Sequence, residues 1–190
     1  MYERMMRHPK TTILAFVFIC AFITPANAQK FEIHPYAGGF FSGKVAGLLD
    51  VKNQPLYGIK GGMFANKNFE IEGNIGYINN LSFVGTLTRK HAYIWEGLAT
   101  YNLSKFYGSY GLGAVTTSVS ADSTDFFGNA IPTRATFLSM SYGGGFKVLR
   151  KWGPLGYRLD TRGRTLPNYN GFAYSWFEAT AGLTFSWGDR

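Results

Sequence analysis

The sequence predicts an all-β fold, an eight-stranded antiparallel up-and-down transmembrane β-barrel, from three observations. Polar and apolar residues alternate with a period of two in one segment after another, which is the pattern of strands with two unlike faces. Short and long connections take turns between these segments. Glycine, at 24 of 190 residues, is well above its usual share of about 7%.

The first 28 residues have the three parts of a secretory signal peptide. A basic start, MYERMMRHPK, precedes the apolar run TTILAFVFICAFI, and Ala26 and Ala28 occupy the small-residue positions of a cleavage site. The apolar run is too short to span a membrane as a helix. We therefore expect cleavage after Ala28, with residues 29–190 as one β-barrel domain. The alternative is a retained N-terminal helix.

Composition excludes several classes of site. The single cysteine, Cys20, lies within the signal, so the exported part has no disulfide, thiolate metal site or cysteine nucleophile. The net charge of the whole chain is +8, but its basic residues form no run, and export removes the chain from nucleic acid. We therefore expect no nucleic-acid partner.

Three segments show the strand alternation in full: FEIEGNIGY (69–77), LSMSYGGGFK (138–147) and FEATAGLTFSW (177–187). In FEIEGNIGY (69–77), Ile71 and Ile75 share one face while Glu70 and Glu72 share the other. Five further segments complete the eight predicted strands, although the first and fifth strands do not settle their own phase. All eight predicted strands are 31–41, 56–65, 69–77, 93–101, 106–117, 138–147, 156–164 and 177–187.

The connections between the predicted strands alternate in length. Those at one end are short, at 65–68, 102–105 and 149–153. Those at the other end are mostly longer, at 42–55, 79–89, 120–134 and 165–171. Tight periplasmic turns and longer external loops are typical of outer-membrane barrels, whereas a soluble β-sandwich has no reason to keep this alternation.

One face of the strands from residue 56 onward carries no Lys, Arg, Asp or Glu. We expect this face to meet lipid, where a central Arg or Lys costs about 2–4 kcal/mol. The charged residues then point into the barrel, which is just wide enough for its own side chains. Their pairing favours a structural plug over a gated ion path. The predicted interior charge network is Lys60, Glu70, Glu72, Glu96, Lys147, Arg158, Asp160, Arg162, Arg164 and Glu178.

Outward-facing aromatic residues concentrate near the ends of the predicted strands. Such a distribution is typical of the two aromatic girdles at membrane interfaces. The predicted external girdle contains Tyr57, Tyr77, Tyr93 and Phe177. The predicted periplasmic girdle contains Phe69, Tyr101, Phe106, Phe146, Phe185 and Trp187.

Four segments resemble strands of the small eight-stranded outer-membrane barrels of the OmpA and OmpX type: FEIHPYAGGFFSG, HAYIWEGLATYNL, FYGSYGLGA and GYRLDTRGR. The resemblance covers Phe31 to Trp187 and implies a location in the bacterial outer membrane, in contact with lipid and lipopolysaccharide. In this family the last strand ends in an aromatic residue read by the outer-membrane insertion machinery, which implies that role for Leu183, Phe185 and Trp187. We expect no peptidoglycan-binding domain of the kind that some relatives carry.

Catalytic and metal sites are not expected. Neither His34 nor His91 has a serine two residues away on its strand, and a nucleophile needs its base within hydrogen-bond reach. Glu32 with His34 supplies only two metal ligands. We therefore expect a protein without enzymatic activity, cofactor or metal.

The sequence therefore predicts a monomeric, non-enzymatic outer-membrane protein with an envelope-structural role or a surface-recognition role through its external loops. In the 120–134 loop, Asp122, Asp125, Phe126 and Phe127 are the candidate recognition residues, because anchors in binding sites are often aromatic. The alternatives are a narrow channel for small solutes and, less favoured, a soluble periplasmic ligand-binding barrel.

Overall fold

The computed structural model describes residues 30–42, 44–45, 49–50, 52–82, 89–119, 134–169 and 172–188. The predicted signal peptide lies outside the described residues. The same is true of the candidate recognition residues Asp122, Asp125, Phe126 and Phe127. The described part of the chain contains no helix long and apolar enough to cross a membrane.

Eight antiparallel strands close into a barrel, with each strand hydrogen-bonded to its neighbours in the sequence and the first strand paired with the last. The predicted fold class is therefore confirmed. Closure matters because it leaves no sheet edge with unpaired N–H and C=O groups. The strands are β1 (Phe31–Ser42), β2 (Gln54–Phe64), β3 (Phe69–Ser82), β4 (Arg89–Leu103), β5 (Phe106–Val119), β6 (Arg134–Trp152), β7 (Leu155–Tyr169) and β8 (Phe172–Trp187).

The connections at the periplasmic end are tight turns held by local hydrogen bonds and by unusual backbone angles. Asn66 Oδ1 accepts from the backbone N–H groups of Asn68 at 2.9 Å and Phe69 at 2.8 Å, which is the way an asparagine closes a turn. Ser104 and Gly153 adopt positive φ angles of 61° and 65° in the next two turns. At the external end, Lys44–Val45 and Leu49–Asp50 form a small separate hairpin between β1 and β2.

One predicted external loop, 165–171, is wrong. Strand β7 continues to Tyr169 and β8 begins at Phe172, so that most of this segment is strand. Pro167 indicated a loop, yet β7 pairs with β6 only as far as Thr165 and pairs beyond that point with β8 alone. A proline is tolerated where one side of a strand has no partner, because its missing N–H is not needed there.

The two faces of the strands separate as lipid-facing and interior. On β3, Glu70, Glu72 and Asn74 are buried, while Ile71 and Ile75 are exposed. On the described strands, no charged residue lies on the outward face between the aromatic rows at the two ends. The outer wall is therefore an uncharged belt suited to hydrocarbon.

Aromatic rows border this belt at both ends. Tyr57, Tyr77 and Tyr93 are neighbours across β2, β3 and β4, and Phe69 pairs with Tyr101 nearer the periplasmic end. The nine residues from Phe69 to Tyr77, eight steps along the strand, span about 27 Å, or about 20 Å across a bilayer at the usual tilt. This height is close to that of the apolar band of known membrane barrels.

The phases that the sequence left open are settled by the structure. On β1, Glu32, His34 and Phe40 are buried in the interior. On β5, Tyr107 and Val115 are also buried, at 5% and 1% exposure, so the interior face of β5 is not purely polar.

Candidate functional site

The interior of the barrel gathers the polar and ionisable side chains of the described strands, with Arg158 at the centre of its periplasmic half. Arg158 Nη1 donates to Glu32 Oε1 at 3.0 Å and to Glu72 Oε2 at 2.9 Å, and Nη2 donates to Glu72 Oε1 at 3.2 Å. Its Nε donates to the Tyr107 hydroxyl at 2.9 Å, and the guanidinium lies 4.4 Å from the centre of that ring. A buried guanidinium needs this degree of pairing, because an unpaired charge costs several kcal/mol, on the order of the desolvation penalty.

Lys147 neutralises the acidic residues nearest the periplasmic end. Its Nζ forms an ion pair with Glu70 and a second, at 3.3 Å, with Glu32 Oε2. It also lies 4.8 Å from the centre of the Phe64 ring. Asn102 Nδ2 donates to Glu70 Oε2 at 3.4 Å, so β1, β3, β4 and β6 are joined at this level.

Asp160 joins four strands around a single carboxylate. Lys60 Nζ lies 2.9 Å from its Oδ1, and Arg158 Nε lies 3.2 Å from its Oδ2. The Tyr107 hydroxyl donates to Oδ1. His34 Nε2 lies 3.4 Å from Oδ2, while His34 Nδ1 donates to the backbone carbonyl of Leu183 at 3.0 Å.

Arg162 and Arg164 converge on Glu96 one level nearer the external end. Arg162 Nη1 donates to Glu96 Oε2 at 2.8 Å, and Arg164 Nη1 donates to Glu96 Oε1 at 3.0 Å. Arg164 Nε also donates to Glu178 Oε1 at 2.7 Å, and Trp176 Nε1 donates to the same oxygen at 2.8 Å. These bonds join β4, β7 and β8.

All ten residues of the interior charge network are buried, and each takes part in at least one ion pair. The predicted network, which has five acids and five cations, omitted Glu32, which is 2% exposed and pairs with both Lys147 and Arg158. Glu32 lies on the same face of the strand as Tyr36 and Phe40, so the period of two indicated an interior position for it. Pro35 interrupts this pattern and left the phase of the strand open.

Above the charges, the external half of the interior is apolar. This external apolar cluster has aromatic contacts at its centre: Phe40 lies 5.3 Å from Trp176, and Phe137 lies 4.7 Å from Tyr169, between ring centroids. All eight strands contribute to it. Its members are Tyr36, Phe40, Leu56, Ile78, Ala92, Ile94, Val115, Leu166, Tyr169, Tyr174 and Trp176, with Phe137 packed against them.

Glu32, Glu70 and Glu72 form the one carboxylate group among the described residues with the spacing of a metal site, their oxygens lying within 4.8 Å of one another. Lys147 and Arg158 already supply cations to these oxygens. The arrangement is therefore that of an ion-pair cluster.

The two histidines of the described strands lie in unlike settings. His34 is buried against Asp160, as described above, and His91 lies on the outer wall, where its Nδ1 is 2.9 Å from the Tyr77 hydroxyl. A histidine next to a carboxylate, such as His34 next to Asp160, resembles two members of a catalytic triad. Among the described residues, however, His34 contacts the ion-pair cluster through Asp160 and the backbone carbonyl of Leu183, and neither of these is a nucleophile.

The residues proposed for insertion lie on the outward face of β8. Leu183, Phe185 and Trp187 are exposed at 49%, 41% and 46%. Trp187 pairs with Phe31 across the closing seam of the barrel, and the two rings stack at 6.1 Å.

Solved structures of outer-membrane barrels match the chain over most of its length. The N-terminal β-barrel domain of Pseudomonas aeruginosa OprF is 14% identical, with a TM-score of 0.51, and covers 85% of this chain and 100% of that chain. Ail of Yersinia pestis, in complex with the heparin analogue sucrose octasulfate, is 16% identical with a TM-score of 0.53, covering 84% and 99%. Neisserial surface protein A is 12% identical with a TM-score of 0.57, covering 82% and 96%.

This chain has the fold of the small eight-stranded outer-membrane β-barrels. The resemblance seen in the sequence is thereby confirmed at the level of fold. The predicted location in the bacterial outer membrane agrees with these matches and with the uncharged outer belt. No family model and no curated protein sequence matches the chain.

Proposed function

We propose that this outer-membrane barrel is a non-enzymatic, monomeric protein that holds its external loops at the cell surface for envelope structure or surface recognition. The main support for this proposal is that side chains fill the lumen at two levels. Ion pairs cross the periplasmic half, and the external apolar cluster occupies the other half. A barrel filled in this way is a rigid support for loops.

The filled lumen counts against the narrow channel. Water or an ion moving through the barrel would have to displace Phe40, Tyr174 and Trp176 and then separate the ion pairs of Arg158 and Arg164. An eight-stranded barrel offers no further width for such a path. A soluble binding barrel is disfavoured as well, because its outer wall would be polar.

Surface recognition is supported by the position of the loops on a fixed scaffold. Loops carry binding residues when the strands beneath them are rigid. Ail, a barrel of the same fold, was solved with a heparin analogue. We propose that Asp122, Asp125, Phe126 and Phe127 of the external 120–134 loop are the recognition residues of this chain.

A binding assay with cells that produce the protein tests the recognition role. Adhesion of these cells to a cultured epithelial cell layer is compared between the wild type and a variant without residues 125–131. Heat-modifiable gel mobility of the variant is the folding control. Shortening the loop between β5 and β6 should leave this mobility unchanged, because the strands themselves are intact. A variant that folds and loses binding supports the role. A variant that folds and binds equally removes the loop from it.

We propose that residues 1–28 direct export and are removed, and that Leu183, Phe185 and Trp187 engage the insertion machinery. Membrane fractionation with gel mobility before and after boiling tests both steps. A folded small barrel in the outer-membrane fraction migrates anomalously until it is heated. Recovery in the soluble periplasmic fraction would contradict the proposal.

A further inference from the structure

A groove runs along the external half of the outer wall. It is lined by Tyr93, Trp95, Thr116, Ser118 and Arg134 and has a volume of about 320 Å³. These residues belong to three adjacent strands, β4, β5 and β6. The groove opens on the uncharged belt and ends at the external rim.

The groove exists because β5 carries small outward-facing residues between two bulkier strands. Thr116 lines its floor and is only 6% exposed although it lies on the outward face, and Ala114 lies two residues away on the same face of β5. Tyr93 and Trp95, at 42% and 48% exposure, stand on the β4 side. Leu138, at 58% exposure, stands on the β6 side.

Strand register arranges the groove as three rows that change from polar to apolar. Three residues across β4, β5 and β6 make up each row. The row at the rim is His91, Ser118 and Arg134; the next is Tyr93, Thr116 and Thr136; the innermost is Trp95, Ala114 and Leu138.

In the middle row, two of the three hydroxyl groups bond to each other. The hydroxyls of Thr116 and Thr136 lie 3.1 Å apart and bond to each other. Below the rim the groove therefore presents methyl groups and aromatic faces. An acyl chain matches that surface, because it needs no polar partner.

Arg134 places a cation at the polar end of the groove. Its side chain is exposed, and within the described part of the chain no carboxylate forms an ion pair with it. A guanidinium binds phosphate oxygens through two parallel hydrogen bonds. The distance from Arg134 to Leu138 is about 14 Å along the strand, so a chain attached to a phosphorylated headgroup would pass over all three rows.

We propose that this groove binds one phosphorylated, acylated glycolipid of the outer leaflet, of the lipid A class. The phosphate pairs with Arg134, and one acyl chain lies over Thr116 and Ala114 against Trp95. The inference rests on the outer-membrane location in the proposed function. A soluble anion would not need the apolar rows, and a neutral lipid would not need Arg134.

Native mass spectrometry of the full, folded barrel in detergent micelles tests the site, with purified lipid A as the probe. Arg134→Gln should weaken lipid A binding about five- to tenfold through the lost charged hydrogen bonds. Ala114→Leu, which adds apolar bulk between Trp95 and Leu138 on the outward face, should weaken it to a similar extent. Lys151→Gln, an exposed cation at the other end of β6, is the matched control and should bind as the wild type does.

Two further probes identify the occupant. Dephosphorylated lipid A should bind weakly to the wild type and show no further loss with Arg134→Gln. Glucosamine phosphate without acyl chains should not compete. Competition by the free phosphate sugar, or unchanged binding in Ala114→Leu, would overturn the proposal.

The 120–134 loop, which joins β5 and β6, is the remaining alternative occupant of the groove. Removal of residues 125–131 should leave lipid A binding unchanged if the lipid is the resident. A large gain in binding after the deletion would show that the loop covers the groove, which contradicts the proposal. All variants are first checked for heat-modifiable folding, so a failure of the lipid site remains distinct from a failure of the outer-membrane assignment.

Discussion

Arg158 on β7 and Glu72 on β3 form a two-bond ion pair across the barrel, at 2.9 Å and 3.2 Å. The two strands are not neighbours in the sheet, so this pair connects opposite walls. Both side chains are almost completely buried, Arg158 at 0% and Glu72 at 2% exposure. The pair therefore holds the barrel from within, where neither charge has water as an alternative partner.

Substitution of Arg158 should destabilise the barrel strongly. Arg158→Met leaves Glu72 and Glu32 without their main cation, and breaking a buried pair by removing one partner costs about 3–5 kcal/mol. Urea unfolding in lipid vesicles measures the loss of free energy. Lys105→Met, in an exposed turn, is the control and should change stability by at most about 0.5 kcal/mol. Equal stability of the two variants would show that the interior pairs do not hold the barrel.

The external apolar cluster should contribute a comparable amount. Phe40 is completely buried against Trp176, whereas its neighbour Phe41 faces outward at 45% exposure. Phe40→Ala should lower the free energy of unfolding by about 3–5 kcal/mol, because it leaves a cavity in a packed interior. Phe41→Ala should cost clearly less in the same vesicle assay. A larger loss for Phe41→Ala would reverse the assignment of the two faces of β1.

Gly73 offers a sharp test of the lipid-facing side. It lies midway between the aromatic rows at Phe69 and Tyr77, and a Cβ built on it meets no atom within 4 Å. Gly73→Arg should destabilise the inserted barrel by about 2–4 kcal/mol, the cost of a charge at the middle of the bilayer. Gly73→Leu adds bulk without charge and should insert as the wild type does. Normal insertion of Gly73→Arg would place this face away from lipid.

Export should leave a defined N-terminus. The signal pattern predicts cleavage between Ala28 and Gln29, so mass spectrometry of the protein from outer membranes should find Gln29 first. Ala28→Leu should slow processing, because the position needs a small residue. A mature protein that begins at Met1 would favour the retained N-terminal helix.

Local alternation was enough to predict much of the fold. On β3, β6 and β8 it separated the two faces correctly, because a one-residue slip would have placed every charge in lipid. It also indicated the charges that the structure brings together, such as Arg158 and Glu72. The partners within the network could not be predicted, since β3 and β7 meet only through closure of the barrel.

Two features were missed for identifiable physical reasons. The external apolar cluster draws single residues such as Phe40, Ile78 and Val115 from separate strands, so no window of sequence contains it. Pro167 was interpreted as part of a loop, although it lies on the unpaired side of β7. In both cases the decisive information was the relation between strands, which local patterns do not carry.

Conductance in planar bilayers tests the central claim, a filled and closed lumen, most directly. The purified, heat-modifiable barrel should insert and carry no steady current, because the external apolar cluster and the pairs of Arg158 and Arg164 leave no continuous path. Single-channel currents of reproducible size from the wild-type protein would contradict a closed lumen and favour the narrow channel instead.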